Sequence, residues 1–316
     1  MNLQTKIPLS KQSNNLIDYN SKLLLIGSCF VENIGKKLGY FKFQNICNPF
    51  GILFHPKAIE TFITNAINEK EYSEKDIFFH DERWHCFEAH SKLSNPSKDV
   101  LLEELNKQTR STTHQLSTAT HVVITLGTSW VYRFIEEDKI IANCHKVPQK
   151  QFLKELLSVN EVVNSLQAIL VLLKQVNPKV SVIFTVSPIR HIKDGFVENN
   201  LSKSHLISGI HQVINERENT YYFPSYEIMM DELRDYRFYA KDMIHPSETA
   251  INYIWEKFQQ VWLASEASTT MDEVDKIQKR LLHKPFNPNS KSHQQFLQDL
   301  EEKKSMLQLQ FPYIQF

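Results

Sequence analysis

The sequence has little of three features that would assign it to familiar classes of protein. Only four of its 316 residues are cysteine, and they have neither CxxC spacing nor the density of a disulfide scaffold, so reduced thiols are expected. Lysine plus arginine and aspartate plus glutamate number 36 each, so no net charge favours nucleic acid or an anionic membrane. No apolar run approaches the roughly 18 residues of a membrane helix, and the first residues lack the layout of a secretory signal. We therefore expect a cytoplasmic protein without a nucleic-acid or membrane partner.

What the sequence does contain is an alternation of apolar runs and helical patterns. Hydrophobic residues make up 41% of the chain, enough for a sizeable core at this length. Apolar runs predict strands, and stretches with apolar residues at helical spacing lie between them. The predicted strands are 22–26, 121–126, 180–186 and 220–223, and the helical stretches include 98–116, 162–176 and 248–262. This order predicts a parallel sheet covered by helices on both faces.

The last fifty residues have a different pattern. From residue 268 onward, charged helical segments are split by Pro285 and Pro288. We predict a main domain at 1–267 and a helical C-terminal extension at 268–316. The sequence gives no role for the extension.

Polar motifs follow three of the predicted strands at the point where each strand ends. They are Gly-Ser-Cys at 27–29, Gly-Thr-Ser at 127–129 and Ser-Pro-Ile-Arg-His at 187–191. Ligands of parallel sheets bind at the carboxyl ends of the strands, so we expect these motifs to surround one site. Arg190 and His191, with Lys203, could hold a phosphate, sulfate or carboxylate of the substrate. The alternative is that they belong to a solvated loop.

An aspartate and a histidine near the end of the main domain form a second kind of signal. Asp242 lies three residues before His245, and the next residues predict the start of a helix at Ser247. At this spacing the carboxylate can reach the imidazole Nδ1 and leave Nε2 free as a base. The alternative is that Asp242 only caps the start of a helix.

Ser28 and Cys29 are candidate nucleophiles in a turn between a strand and a helix. The N–H groups at a helix start can stabilise an oxyanion and lower the pKa of a thiol, which predicts a reactive Cys29. The alternative is that Ser28 caps the helix and Cys29 packs as a small apolar side chain.

These motifs, with Asn-Pro-Phe-Gly at 48–51, resemble those of the SGNH, or GDSL-type, hydrolase superfamily. Gly-Ser-Cys-Phe at 27–30 resembles the signature of the GSCFA domain family within it. The resemblance covers residues 22 to 262. It implies a three-layer α/β/α sandwich with a parallel sheet and a nucleophile-His-Asp triad. It also implies an oxyanion hole formed by the motifs at 27–29, 48–51 and 127–129.

Laid on the superfamily pattern, this sequence departs at two positions. The nucleophile is the third residue of the first motif, which is Cys29 here, with Ser28 left as the alternative nucleophile. The third motif normally supplies an asparagine to the oxyanion, and Ser129 stands in its place. The resemblance thus implies an oxyanion hole formed by the N–H of Cys29 with Gly51, Gly127 and Ser129.

The sequence as a whole predicts an acyl-ester hydrolase or acyltransferase without a cofactor or metal. Cys29 would form the acyl-enzyme, with His245 as general base and then acid and Asp242 as its orienting partner. Because the loops are polar, the expected substrate is a small-molecule or glycan-like acyl compound. The rival prediction is a non-catalytic ligand-binding module on the same fold.

Overall fold

The fold is given by a computed structural model that describes residues 5–214 and 218–316. In chain order its strands are β1 (Lys22–Gly27), β2 (Gln44–Cys47), β3 (Phe78–His80), β4 (Arg83–His85), β5 (His121–Leu126), β6 (Trp130–Phe134), β7 (Lys139–Ile141), β8 (Phe152–Leu156), β9 (Ser181–Val186) and β10 (Thr220–Tyr222). The helices are α1 (Cys29–Tyr40), α2 (Pro56–Ile67), α3 (Lys98–Thr118), α4 (Val159–Val176), α5 (Phe196–Ile214), α6 (Ser225–Glu227), α7 (Glu248–Trp262), α8 (Ser265–Leu281) and α9 (Lys291–Gln310). A π-helical turn, Ile228–Glu232, continues α6.

The centre of the molecule is a five-stranded parallel sheet in the order β2-β1-β5-β9-β10. Leu24 and Ile26 of β1 point to one face, where they join the core formed by α2, α3, α4 and α5. Leu23 and Leu25 point to the other face, into the core formed by α1, α7, α8 and α9. The sheet therefore lies between two helical layers, which confirms the predicted three-layer α/β/α fold.

The strand order places a crevice at the carboxyl end of β1. The chain passes from β1 outward to β2 on one side, whereas β5 and the later strands lie on the other side. In a sheet of this order the change of direction between β1 and β5 is the usual place for a ligand. The motif Gly-Ser-Cys at 27–29 follows β1, and the motif Gly-Thr-Ser at 127–129 follows β5.

Gly27, the last residue of β1, allows β1 and β5 to stay close at this point. Its φ is +137°, and a Cβ built on it would lie 2.1 Å from the carbonyl oxygen of Thr125 on β5. Any other residue would force the strand ends apart. The motif glycine is thus required by the backbone that positions the next two residues.

A small antiparallel sheet, in the order β7-β6-β8, is inserted between β5 and α4. It has its own small core of Phe134, Ile141 and Phe152, separate from the two main ones. The hairpin β3-β4 is a second insertion. The sequence analysis did not predict these strands, because they are short and only partly buried.

Helices α8 and α9 pack on the same face of the sheet as α1 and α7. Met271, Val274 and Ile277 of α8 and Leu300 and Leu307 of α9 are buried in the core of that face. The predicted domain boundary at 267/268 falls inside α8, and the division into two parts stays a prediction. In the described residues no helix is long and apolar enough to cross a bilayer.

Candidate active site

Ser28 and Cys29 occupy different environments although they are neighbours. Ser28 is fully buried and is the N-cap of α1: its Oγ accepts from the N–H of Phe30 at 3.3 Å, and its own N–H donates to Thr125 O at 2.9 Å. Cys29 is the first residue of α1 and is only partly buried. Its side chain lines a cavity at the carboxyl edge of the sheet. The turn therefore uses the serine as a helix cap and presents the cysteine to the cavity.

Asp242 and His245 form the pair that their spacing predicts. His245 Nδ1 lies 2.7 Å from Asp242 Oδ2, while Asp242 Oδ1 accepts from the N–H groups of Ile244 and His245, both at 3.0 Å. These bonds hold the pKa of the exposed Asp242 carboxyl near 2, so it is ionised at neutral pH. A carboxylate on Nδ1 fixes a proton there and leaves His245 Nε2 as the free base.

Cys29 and His245 line the same cavity. In the described chain no hydrogen bond joins the thiol to the imidazole. Looser geometry of this kind is common in catalytic pairs without substrate, and such bonds tighten when substrate binds. The structure thus brings the three predicted groups to one place without closing the triad.

The pKa of the Cys29 thiol does not follow the sequence prediction. Burial raises this pKa, with a further rise from Glu32, and outweighs the opposing effects of its own backbone N–H and of Lys203 and Lys92. The helix start is present as predicted, but desolvation of the thiolate is the larger effect. Burial also raises the pKa of the other thiols, to about 12 for Cys47 and about 11 for Cys144.

The structure corrects the predicted oxyanion donors. The N–H of Gly51 donates to Asn48 O at 2.8 Å, and the N–H of Gly127 donates to Phe54 O at 2.7 Å. Ser129 is fully buried, and its hydroxyl lies 3.1 Å from the carbonyl and hydroxyl oxygens of Ser202. These groups already have partners because they hold the motif loops in place.

Two other N–H donors at the strand ends have no partner in another described residue: the backbone N–H of Cys29 and the side-chain Nδ2 of Asn48. Asn48 follows β2, is 8% exposed, and accepts the N–H of Gly27 on its Oδ1 at 2.8 Å. Its amide is therefore fixed beside the nucleophile turn. The sequence analysis missed Asn48, although its place at the head of the second motif was a usable signal.

Only two of the three predicted anion-binding residues lie at the cavity. Arg190 and His191 line the cavity with Cys29, but Lys203 does not. Lys203 is 1% exposed, and its ammonium group donates to Gly127 O at 2.6 Å and Ser187 O at 2.7 Å. This corrects its predicted contact with substrate: Lys203 ties together the loops after β5 and β9.

Burial has strong effects on two of these groups. It lowers the pKa of Lys203 to about 7, with a smaller contribution from Arg190. It lowers the pKa of His191 to about 3, with contributions from Lys203 and His245, so the His191 ring is neutral at pH 7. His191 Nε2 is buried without a partner in the described chain.

Comparison with known proteins gives a family and a set of distant structural neighbours. The GSCFA family profile matches residues 22–258, which is most of the chain, and the profile of the GSCFA domain protein C-terminal domain matches residues 274–316. The chain belongs to the GSCFA family. A search of curated proteins found no match.

Two solved structures are similar to this GSCFA protein at low identity. One is a carbohydrate esterase family 3 protein from Talaromyces cellulolyticus, with 8% identity, a TM-score of 0.36, and coverage of 81% of this chain and 99% of that one. The other is the acetyl xylan esterase Est2A from the rumen bacterium Butyrivibrio proteoclasticus, with 12% identity and a TM-score of 0.32. That match covers 85% of this chain and 66% of the esterase chain.

The segment at 78–87, which contains Phe78, Phe79, Trp84 and Phe87, does not line the cavity at Cys29. His85 Nδ1 lies 2.7 Å from Ser94 Oγ and 3.1 Å from His145 Nδ1, and both histidines are buried. In the residues that the structure describes, no three side chains of His, Cys, Asp or Glu are grouped to hold a metal ion. The segment instead packs behind the small sheet, where Phe87 O accepts the N–H of Ala142.

Proposed function

We propose that this protein is an acyl-ester hydrolase or acyltransferase that forms an acyl-enzyme on Cys29. The observation that carries the proposal is one cavity, at the carboxyl edge of the sheet, lined by a thiol at a helix start and by an imidazole whose Nδ1 is held by a carboxylate. A nucleophile, a base and an orienting group in one cavity are the requirements of covalent acyl transfer.

In the first half-reaction, His245 Nε2 takes the proton from the Cys29 thiol, and the sulfur attacks the ester carbonyl. A C–S bond forms and the carbonyl becomes an oxyanion; collapse then breaks the ester C–O bond, and the imidazolium gives its proton to the leaving alcohol. In the second half-reaction, His245 takes a proton from water or from an acceptor hydroxyl or amine. That nucleophile attacks the thioester, and the proton returns to the departing thiolate.

The raised pKa of the Cys29 thiol suits this order of events. A thiol that is neutral in the free enzyme needs a base at the moment of attack, and His245 Nε2 is placed to serve as that base. The ionised Asp242 stabilises the imidazolium that results. Proton transfer and nucleophilic attack would therefore occur together in the substrate complex.

The oxyanion would be held by the backbone N–H of Cys29 and by Asn48 Nδ2. Both donors lack another partner in the described chain, and both are fixed, one by the helix start and the other by the Gly27 bond. A buried amide N–H without a partner costs free energy, so a ligand atom that accepts from it is favoured. Asn48 would thus replace the asparagine that the third motif lacks.

Cys29 is preferred over Ser28 as the nucleophile because of exposure and hydrogen bonding. Ser28 has no exposed surface, and its Oγ is engaged with the N–H of Phe30. An attack by Ser28 would break the cap of α1 and require the turn to open. Cys29 can act without either change.

On the acceptor side, we propose a small-molecule or glycan-like alcohol or amine in the cytoplasm. A thioester reacts readily with amines and alcohols, so transfer competes with hydrolysis where water is excluded. The rival function is ligand binding without catalysis. The absence of a Cys29–His245 hydrogen bond in the described chain is the observation that favours this rival.

The test is turnover of activated esters by the purified protein, with Cys29→Ala and Ser28→Ala as matched variants. The proposal predicts ester cleavage by wild type, loss of it in Cys29→Ala and retention in Ser28→Ala. Added sugar or amine acceptors should increase the rate if deacylation by transfer exceeds hydrolysis. Equal rates in wild type and Cys29→Ala would refute the proposal.

A further inference from the structure

The cavity beside Cys29 also carries information on the acyl group. Resting on the acyl-enzyme function proposed above, we infer that this cavity receives the acyl part of the substrate, and that this part is an apolar group larger than acetyl. The cavity has a volume of about 560 Å³ and opens on both Cys29 and His245. A volume of this order accommodates a ligand many times larger than an acetyl group.

The walls of the cavity are mainly apolar. Side chains from the small sheet form one wall, and the other walls come mainly from the loops after β2, β7 and β9 and the turn before α7. The principal apolar contributors are Phe54, Trp130, Tyr132, Ile141, Ile189 and Ile192. A wall of this composition favours a ligand that gains by leaving water, at about 0.8 kcal/mol for each methylene that is buried.

The polar groups of the wall are largely engaged with other protein atoms. Thr128 Oγ1 lies 2.9 Å from Ser202 Oγ and accepts the N–H of Trp130 at 3.0 Å. Asn143 Oδ1 accepts the N–H of His145 at 2.9 Å. The cavity thus presents fewer hydrogen-bonding groups to a ligand than its composition suggests.

Of the charged side chains that line the cavity, Arg190 and Asp194 have protein partners, and Lys193 lines it as well. Arg190 donates to Asn200 Oδ1 at 2.8 Å, and Asp194 accepts from Lys154. The ammonium of Lys154 in turn lies 4.5 Å from the centre of the Trp130 ring and covers it. A sugar bound here would therefore bury hydroxyl groups for which this part of the wall offers few free partners, at a cost in free energy.

His55, in the wall of the cavity, also has its polar atoms engaged with the protein. It is 4% exposed; its Nδ1 accepts the N–H of Ala58 at 3.1 Å, and its Nε2 lies 3.0 Å from Ile141 O. Burial lowers its pKa to about 4, so the ring is neutral at pH 7. The part of the wall formed by His55 and Ile141 is therefore uncharged and suits an alkyl or aryl chain.

This inference changes one expectation from the sequence. The sequence loops are rich in His, Asn, Lys and Arg, which suggested a polar substrate without an apolar groove. The apolar wall comes from β6 and β7, which the sequence analysis did not predict. The acceptor can still be polar, because it would approach the thioester from the solvent side.

The first test is the rate of acyl-enzyme formation with p-nitrophenyl acetate, butyrate, hexanoate and octanoate. The inference predicts that kcat/KM rises with chain length by up to about fourfold for each added methylene that is buried. A maximum at acetate would overturn it.

The second test fills the cavity from its wall. Ala142 lines the cavity at the end of β7, so Ala142→Phe should reduce the ratio of octanoate to acetate kcat/KM by at least tenfold. Leu153→Trp adds bulk to the same small sheet on an exposed position and should leave this ratio unchanged. An equal loss for all esters in Ala142→Phe, with no change of ratio, would contradict the inference.

A binding measurement separates this inference from the proposed catalysis. Calorimetry on Cys29→Ala should show octanoate binding with a negative heat-capacity change, acetate binding at least tenfold more weakly, and octanoate binding lost in the Cys29→Ala, Ala142→Phe double variant. No octanoate binding would overturn the inference even if the wild type cleaves esters. If the protein binds octanoate but cleaves no ester, the proposed acyl-enzyme function is refuted. The inference that the cavity takes an apolar chain is then still supported.

Discussion

The carboxyl edge of the parallel sheet and the small antiparallel sheet beside it contribute different things to the same cavity. The edge supplies the groups proposed for the chemistry: Cys29 after β1 and the Asp242–His245 pair in the turn before α7, with Asn48 buried behind the Gly27 turn. The small sheet supplies apolar surface and no group with a reactive role.

Under the proposed function, this difference places chemistry and selectivity in separate parts of the fold. The reactive groups sit on turns that the backbone fixes tightly, as the required glycine at position 27 shows. Tyr132 of the small sheet packs against that sheet's own core, so it can change with little effect on the main sheet. Variants at the edge should therefore affect every substrate, and variants in the small sheet should affect some substrates more than others.

The largest effect is expected at the edge, in Asp242→Asn. The amide would no longer stabilise the imidazolium of His245 and could favour the wrong tautomer, which lowers kcat by about 10³- to 10⁴-fold in comparable triads. Because the pKa of Asp242 is near 2, the carboxylate is ionised throughout the range between about pH 4 and 9, so titration of Asp242 itself should not change the size of the loss there. Steady-state rates with acetate and octanoate esters across this range measure it. A loss confined to one ester would contradict the division between edge and small sheet.

Asn48→Asp should have the next largest effect. The aspartate keeps an oxygen for the N–H of Gly27, so the turn stays fixed, but the Nδ2 donor is lost. Removal of one oxyanion donor typically lowers kcat by about 10²- to 10³-fold.

Asn45→Asp, on β2, is the matched control, since the side-chain amide of Asn45 already donates to the carbonyl of Phe43 and is not a proposed oxyanion donor. Rates for all esters should fall equally in Asn48→Asp and remain unchanged in the control. Full activity in Asn48→Asp, with unaltered stability, would show that this amide does not contact the oxyanion.

A smaller and selective effect is expected in the small sheet, in Tyr132→Ala. Loss of this aromatic wall should lower kcat/KM for octanoate by about tenfold relative to acetate, because part of the chain would remain in water. The ratio of the two rates is the readout. A tenfold loss for acetate as well would mean that Tyr132 affects both substrates alike. It would contradict the division between the sheet edge and the small sheet.

The smallest effect on turnover is expected for Lys203→Met, where the readout is stability. With a folded pKa of about 7 and an unfolded pKa near 10.4, the folded chain releases its proton first. Between these values the unfolded chain binds more protons, so the unfolding free energy of the wild type should rise with pH, by up to about 1.4 kcal/mol per pH unit.

Lys203→Met should lack this rise, which chemical denaturation at several pH values would reveal. Parallel curves for the wild type and the variant between about pH 7 and 10 would mean that Lys203 titrates as it does in the unfolded chain.

The parts of the site that the sequence predicted are those set by local geometry. The contact between Asp242 and His245 follows from a spacing of three residues, and the exposure of Cys29 follows from its place after the N-cap. The five-stranded sheet was also predictable, apart from the short β2, because its other strands are continuous apolar runs.

The remaining features depend on contacts that are distant in sequence. Burial of Lys203 requires the carbonyls of Gly127 and Ser187, which lie 76 and 16 residues away. The engagement of Ser129 by Ser202 is likewise long-range, as is the raised pKa of Cys29, whose main cause is burial. No local sequence pattern could have shown that these polar groups would be buried or hydrogen-bonded inside the protein.

The most direct test of the account is to trap the acyl-enzyme and locate the acyl group. The wild type, Ser28→Ala and Cys29→Ala proteins would each be mixed with p-nitrophenyl octanoate, quenched with acid and analysed by peptide mass spectrometry. The account predicts an octanoyl group on Cys29 in the wild type and in Ser28→Ala, and none in Cys29→Ala. An adduct on Ser28, or ester cleavage by Cys29→Ala at the wild-type rate, would contradict it.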